Sequence, residues 1–212
     1  MTDPVAIVHE FKELDKFILY TDAPDAPGKR SRLTWSTYRG NPRITVFTSV
    51  PNDSGKGIIN APMNPETFII LMNELERIAK NPGEEKIKLT CLTTVKREDG
   101  QRSQERTLLS DVWVGRDSAG IVWMSVIAEG RPKIKFEFHV SDFHKLTHGD
   151  GTAFSAAESS ALQALAYVIG TRNAILPHTA DIRPPYVPNG RAANSKPASA
   201  AVANTNFDDI TF

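Results

Sequence analysis

The chain has one cysteine, no long apolar run, no net charge and none of the short motifs that mark common catalytic sites. With Cys91 alone, an intramolecular disulfide or a cysteine-rich zinc site is excluded, and such usage suits a reducing compartment. No stretch of about 18 apolar residues occurs, so a helix spanning a membrane is not expected. The opening "MTDPVAIVHEFKELDKF" is acidic and interrupted by charge, unlike a signal peptide. A cytoplasmic location without a membrane partner is the expectation, in a bacterial host if the protein is viral. G-x-x-x-x-G-K-[ST], G-x-G-x-x-G and G-x-S-x-G are all missing, which leaves no positive sign of catalysis and no implied cofactor. Lys plus Arg number 25 and Asp plus Glu number 25, so bulk charge does not announce nucleic acid.

The charge is nevertheless sorted. Residues 1–25 hold Asp3, Glu10, Glu13, Asp15, Asp22 and Asp25 against Lys12 and Lys16, whereas residues 26–52 hold Lys29, Arg30, Arg32, Arg39 and Arg43 with no acid. A hydrophobic content of 40% over 212 residues is that of an ordinary folded protein.

Period-two runs come first: "KFILYTD", "KRSRLTWSTYRG", "PRITVFTSV" and "GKGIINAPM", separated by Gly, Pro and Asn. A helix follows in "NPETFIILMNELERIAKNPG". Asn64 can cap it, Pro65 suits its first position, and Phe68, Leu71, Met72, Leu75 and Ile78 recur at helical spacing. Four more strand patterns come next, "KIKLTCLTTVKR", "ERTLLSDVWVGR", "GIVWMSVIA" and "KIKFEFHV". A second helix begins at "SAAESSALQALAYVIG", with Ser155 and Glu158 in capping-box spacing, Leu162, Leu165, Ala166 and Ile169 on one side, and Gly170 as its C-cap. The expected fold is α+β, with two ββββα units whose antiparallel sheets pack against helices, at about 17–82 and 83–176 within a domain of residues 1–186. An OB-type barrel with added helices is the alternative. Residues 187–206 read as a disordered linker, and residues 207–212 as a separate acidic, aromatic tip.

Alternation assigns faces. Arg32, Thr34, Ser36 and Tyr38 lie opposite Leu33, Trp35 and Thr37, and Arg43, Thr45 and Phe47 lie opposite Ile44 and Val46. Lys133, Lys135, Glu137 and His139 oppose Ile134, Phe136, Phe138 and Val140, and Lys86 and Lys88 oppose Ile87, Leu89 and Cys91. Trp113 falls with Thr107, Leu109 and Asp111, away from Val112 and Val114; Trp35 and Trp123 read as core, as does Cys91. A sheet face of cations, hydroxyls and rings suits single-stranded nucleic acid, because cations follow phosphates and exposed rings stack bases. The expected DNA contacts are Lys29, Arg30, Arg32, Arg39, Arg43, Lys86, Lys88, Lys133 and Lys135 for phosphates, with Tyr38, Phe47 and Trp113 for stacking. The competing reading of such a face is an ordinary solvated antiparallel sheet.

The chain ends "NFDDITF". Phe207, Ile210 and Phe212 flank Asp208 and Asp209, a composition that can place a ring in a partner's pocket while carboxylates meet basic residues around it. "FDDITF" resembles the acidic C-terminal tip of bacterial single-stranded DNA-binding proteins, a run of Asp followed by Ile, Pro and Phe; Thr211 stands where that tip has proline. The resemblance implies Phe212 as the pocket residue, Asp208, Asp209 and the terminal carboxylate as charge contacts, and replication or recombination proteins as partners. The order of elements is similar to that of Whirly and PC4-like single-stranded DNA-binding proteins. Together the two likenesses imply a non-enzymatic, phage-type single-stranded DNA-binding protein acting in replication, recombination or repair, with a homo-oligomer among the expected assemblies.

"HVSDFHKLTH" places His139, His144 and His148 near Asp142 and Asp150. Three histidines can ligate zinc, but no H-E-x-x-H spacing accompanies them, and no metal is expected there. Two other functions compete with DNA binding: a scaffold whose tail recruits a partner, and a metal-dependent nuclease using this loop.

Overall fold

A computed structural model describes residues 17–22, 24, 28–38, 40–51, 53, 57–96, 102–141 and 143–179. Arg39, Asp142, the linker at 187–206 and the tip at 207–212 lie outside the described residues. Four strands come first, β1 (Leu19–Tyr20), β2 (Arg32–Tyr38), β3 (Asn41–Phe47) and β4 (Ile58–Pro62), and lead into helix α1 (Pro65–Lys80). The strands β5 (Glu85–Lys96), β6 (Arg102–Arg116), β7 (Val122–Ile127) and β8 (Ile134–Glu137) follow, then α2 (Ala156–Ile175) and a single 3-10 turn at Leu176–His178. Each set of four strands forms its own antiparallel sheet in chain order. The α+β expectation holds at this level.

Among the described residues no closed barrel forms, which overturns the OB-type alternative. β4 ends the first sheet as an edge, and an edge strand must satisfy its outward backbone groups somewhere. Here Ser110 Oγ on β6 donates to the Asn60 carbonyl at 2.8 Å, so this edge abuts the second sheet through a side chain.

Local chemistry explains both helix starts. The Asn64 side chain accepts from the Thr67 N–H at 2.8 Å, and Pro65 occupies the first turn, where no N–H is needed. Ser155 and Glu158 form the complete reciprocal capping box.

The end of α2 differs from expectation. Gly170 caps nothing, and the helix runs on to Ile175. The Phe17 ring packs where a Cβ on Gly170 would stand, so this glycine clears space within a helix. On the side of α2 carrying Leu162, Leu165, Ala166 and Ile169, only Leu165 packs against the core, and the other three face away from the protein. Ile169 is 60% exposed and Leu162 43%, while Ser160, Ala164, Tyr167, Val168, Thr171 and Ile175 are buried. The helix is apolar on both sides, and more than hydrophobicity selects the inward one.

One continuous core joins the two sheets and both helices, drawing Leu33, Trp35, Ile44 and Val46 from the first sheet and Val112, Val114, Met124, Val126, Phe136 and Phe138 from the second. At its centre Trp35 is fully buried, as expected. Its indole meets Phe68 of α1 edge to face at 5.1 Å, and its Nε1 donates to the Tyr167 hydroxyl of α2 at 2.8 Å. Tyr167 in turn meets the Phe138 ring at 5.1 Å. The Tyr167→Phe variant keeps the ring and strands the buried indole N–H. Its urea midpoint is expected to fall by an amount equivalent to about 1–3 kcal/mol; an unchanged midpoint would mean that the N–H finds another acceptor.

Candidate nucleic-acid interface

Strand register sets the outward face of the first sheet in rows. Tyr20, Arg32, Phe47 and Ile58 align across the four strands; Thr34, Thr45 and Asn60 form the next row, Ser36, Arg43 and Pro62 the one after, and Tyr38 stands opposite Asn41. The faces follow the sequence reading, since Leu33, Trp35, Ile44 and Val46 are buried on the other side. The short residues Thr34, Ser36, Thr45 and Asn60 are nevertheless buried too. They lie among taller neighbours and make the floor of the face. Thr45 Oγ1 donates to Asn60 Oδ1 at 2.9 Å, and Arg43 Nε donates to Ser36 Oγ at 3.3 Å. Above that floor, the Arg32 guanidinium sits 4.3 Å from the centre of the Phe47 ring, and that of Arg43 5.8 Å from the Tyr38 ring. Both are cation–π distances.

The outward face of the second sheet repeats the pairing with different residues. One row reads Lys86, Gly115, Trp123, Glu137, and the next Lys88, Trp113, Ser125, Lys135. The Lys86 and Lys88 ammonium groups lie 5.9 and 5.7 Å from the Trp113 ring, and that of Lys135 lies 5.7 Å from the Trp123 ring. Trp113 is where alternation placed it. Trp123 is not a core residue: Val122, Met124 and Val126 fill the buried side of β7 and turn Trp123 outward. That alternation is present in "GIVWMSVIA" and is outweighed, in the sequence reading, by the general tendency of tryptophan to be buried. Gly115, its partner on β6, lets the indole lie flat, since a Cβ there would come within 2.8 Å of both Trp123 Cζ2 and the Glu85 carbonyl oxygen.

Acids punctuate this second face. Lys135 Nζ lies 2.6 Å from Glu137 and 2.9 Å from Asp117. Burial works against its charge, yet the two carboxylates outweigh it and raise the ammonium pKa. Burial likewise pushes Asp117 up, but Lys135 and the Ile121 and Ala119 N–H groups win and hold it below the usual aspartate value. Lys88 approaches Asp111 at 3.8 Å, and Thr90 Oγ1 donates to the same carboxylate at 2.8 Å.

Of the other expected contacts, Lys29, Arg30 and Lys133 are exposed, Lys133 just ahead of β8. Arg39 and the tip residues Phe207, Asp208, Asp209, Ile210 and Phe212 lie outside the described residues. The alternation drawn through Thr107, Leu109 and Asp111 breaks. Cys91 pairs with Ser110 but Leu92 with Leu108, so Leu109 is an extra residue in a bulge. Beyond it β5 and β6 continue as a two-stranded ribbon past the end of β7, with Leu92 and Leu108 exposed opposite each other. A cleft of about 430 Å3 lies between this ribbon and the start of α1, lined in part by Asn64, Thr67, Thr90, Thr93, Thr94 and Arg106. Two rings escape the sequence reading: Tyr20, in the outward row of Arg32, and Phe143, 94% exposed in the loop after β8. A lone aromatic in a loop gives the sequence reader no periodicity to use. Cys91 is buried as expected, and burial pushes its thiol up to about 11, which removes it as a nucleophile.

The three histidines of the loop are not brought together as ligands. His148 stacks on Phe154 at 4.0 Å and faces Glu158, whereas His139 meets Asp22 and Glu137.

Comparison of the chain with known protein families, with curated proteins and with solved structures finds no match in any of the three. The Gly115→Ala variant is expected to lift Trp123 and strain the β5–β6 pairing, at a cost of about 1–3 kcal/mol, with a shift in tryptophan emission. Unchanged stability and emission together would show that the indole does not need the glycine.

Proposed function

We propose that the chain is a sequence-nonspecific single-stranded DNA-binding protein that uses the outward faces of its sheets. One observation carries the reading: Tyr38, Phe47, Trp113 and Trp123 all face outward, and each has an Arg or Lys within 6 Å of its ring. Such pairs offer a single strand both things it needs, a π-surface for a base and a cation for the adjoining phosphate. A duplex hides its base faces and gains only the second. The ion pairs on the second sheet do not bar this use, because exposed salt bridges are worth about 0–1 kcal/mol and a phosphate can replace a carboxylate. Among the described residues no arrangement of Asn, Gln or Arg presents a code for base edges, so sequence preference should be low.

The order of strands and helices supports a Whirly-like fold for this body. The acidic tip supports a role in phage DNA replication, recombination or repair, in which residues 207–212 hold replication proteins. The outward strip of Leu162, Ala166 and Ile169 suits a second copy of the chain, since an apolar strip of this kind is costly to leave in water.

Tryptophan fluorescence titrated with oligo-dT and with a duplex of equal length tests the proposal. Quenching by the single strand alone, weakening with salt, is expected. Trp113→Ala should weaken binding by about 1–3 kcal/mol, and Lys88→Ala should flatten the salt slope by about 0.7 for each phosphate that the ammonium no longer neutralises. No quenching, with no gel shift, would overturn DNA binding and leave the scaffold reading.

The tip also suits a role in cis, its acids covering the cationic faces until DNA displaces them. Deleting residues 207–212 should then raise DNA affinity at low salt, and an unchanged affinity would refute the covering role.

A further inference from the structure

Away from the rings, one group of ligating side chains stands at the seam between the two sheets. Asp22 follows β1 by two residues, Glu137 is the last residue of β8, and His139 follows it by two. β1 and β8 belong to different sheets but lie side by side. His139 Nε2 is 3.0 Å from Asp22 Oδ2 and 3.1 Å from Glu137 Oε2. The ligand atoms of the three residues lie within 4.8 Å of one another, and no other such group of three occurs among the described residues.

A single ring nitrogen carries at most one hydrogen. It cannot aim a straight hydrogen bond at two carboxylates, because linearity toward one means a poor angle toward the other. The two carboxylates are also like charges drawn to one point. A divalent cation removes both problems, since it takes a lone pair from the imidazole and one oxygen from each acid. Nitrogen and oxygen ligands about 2.0–2.2 Å from one ion stand roughly 3.0–3.5 Å from each other, and the two histidine distances already match. Asp22, with a side chain 57% exposed, has room to close the remaining gap.

The neighbours hold the site in position. Lys135 Nζ takes the other oxygen of Glu137 at 2.6 Å and is itself anchored by Asp117 at 2.9 Å, which orients Oε2 toward His139. The same ammonium offsets part of the negative charge, so affinity should be moderate.

We propose that Asp22, Glu137 and His139 form a divalent-cation site that clips the first strand of one sheet to the last strand of the other. One imidazole with two carboxylates favours a first-row ion such as Zn2+ over Mg2+. Three protein ligands leave a further position for water. The site does not depend on DNA binding. β1 has two residues, too few to hold an edge by ladder bonds alone, and a cation at its end would fix it.

The test uses tag-free, metal-stripped full-length protein, titrated calorimetrically with Zn2+ and with Mg2+ and melted with and without each ion. One Zn2+ per chain should bind, with a higher melting midpoint and little response to Mg2+. Asp22→Asn and His139→Gln should each weaken Zn2+ binding at least about tenfold, while a His144→Gln/His148→Gln double variant binds as the native chain does. Circular dichroism on each variant separates removal of a ligand from failure to fold. The proposal fails if Zn2+ produces no heat, if binding survives His139→Gln, or if it disappears only in the His144→Gln/His148→Gln variant. Those results would leave the three residues as a hydrogen-bonded cluster that holds no metal.

Discussion

The hydrogen bond from the Trp35 indole to the Tyr167 hydroxyl decides how the layers sit on one another. Trp35 is in β2, Tyr167 in α2, and their further ring contacts bring in Phe68 of α1 and Phe138 beyond β8. Hydrophobicity alone does not make this choice for α2. The helix offers Leu162 and Ile169 on one side and Ala164, Tyr167, Val168 and Ile175 on the other, with Leu165 partly buried between them, and Leu162 and Ile169 are left outside. The difference lies in two polar anchors. Ser160 Oγ accepts from the buried Val122 N–H at 2.8 Å, and Tyr167 satisfies Trp35. Turning the helix over would abandon two buried donors, each costing about 1–3 kcal/mol when unsatisfied.

This explains which parts of the fold are legible in the sequence. Alternation is a local property of a strand, and it correctly assigns Leu33, Trp35, Ile44, Val46, Ile134, Phe136 and Phe138 to the core. Helix starts are equally local, and Asn64 and the Ser155/Glu158 box sit where their spacing puts them. Most of the failures are remote. Gly170 looks like a C-cap because its actual reason, the Phe17 ring, lies far away in the chain. The inward side of α2 is hidden because its selecting partners are Val122 and Trp35. The bulge at Leu109 comes from the meeting of β6 with β5, which neither strand reveals alone. Trp123 differs, since its outward direction is written in the alternation of β7.

The two candidate faces are unequal electrostatically, although each pairs cations with rings. The first sheet takes its cations from residues 26–52, a stretch without an acid. On the second, Asp111, Asp117 and Glu137 are interleaved with the lysines, and Lys135 touches two of the three. A unit charge pair at 4 Å is worth about 1 kcal/mol in water, so a phosphate reaching the second sheet exchanges one modest attraction for another. On the first sheet it meets arginines that lie over rings. Within a DNA-binding role, Arg32 and Arg43 would offer a cation and a ring at the same point. The second sheet would contribute more through its indoles.

The seam between β1 and β8 matters to that division of labour, because the leading row of the first face begins at Tyr20 in β1. A two-residue strand is fixed by what surrounds it. Leu19 is buried in the core, the Thr21 N–H reaches the Ser31 carbonyl at 3.1 Å, Phe17 lies on α2 at Gly170, and Asp22 reaches His139. Three of these four contacts are made by side chains, and two lead out of the first sheet altogether. The position of the Tyr20 ring beside Arg32 and Phe47 is therefore set by the second sheet and α2 as much as by its own ladder. A change at the seam would move one end of the ring-and-cation row while leaving Thr34, Thr45 and Asn60 beneath it in place.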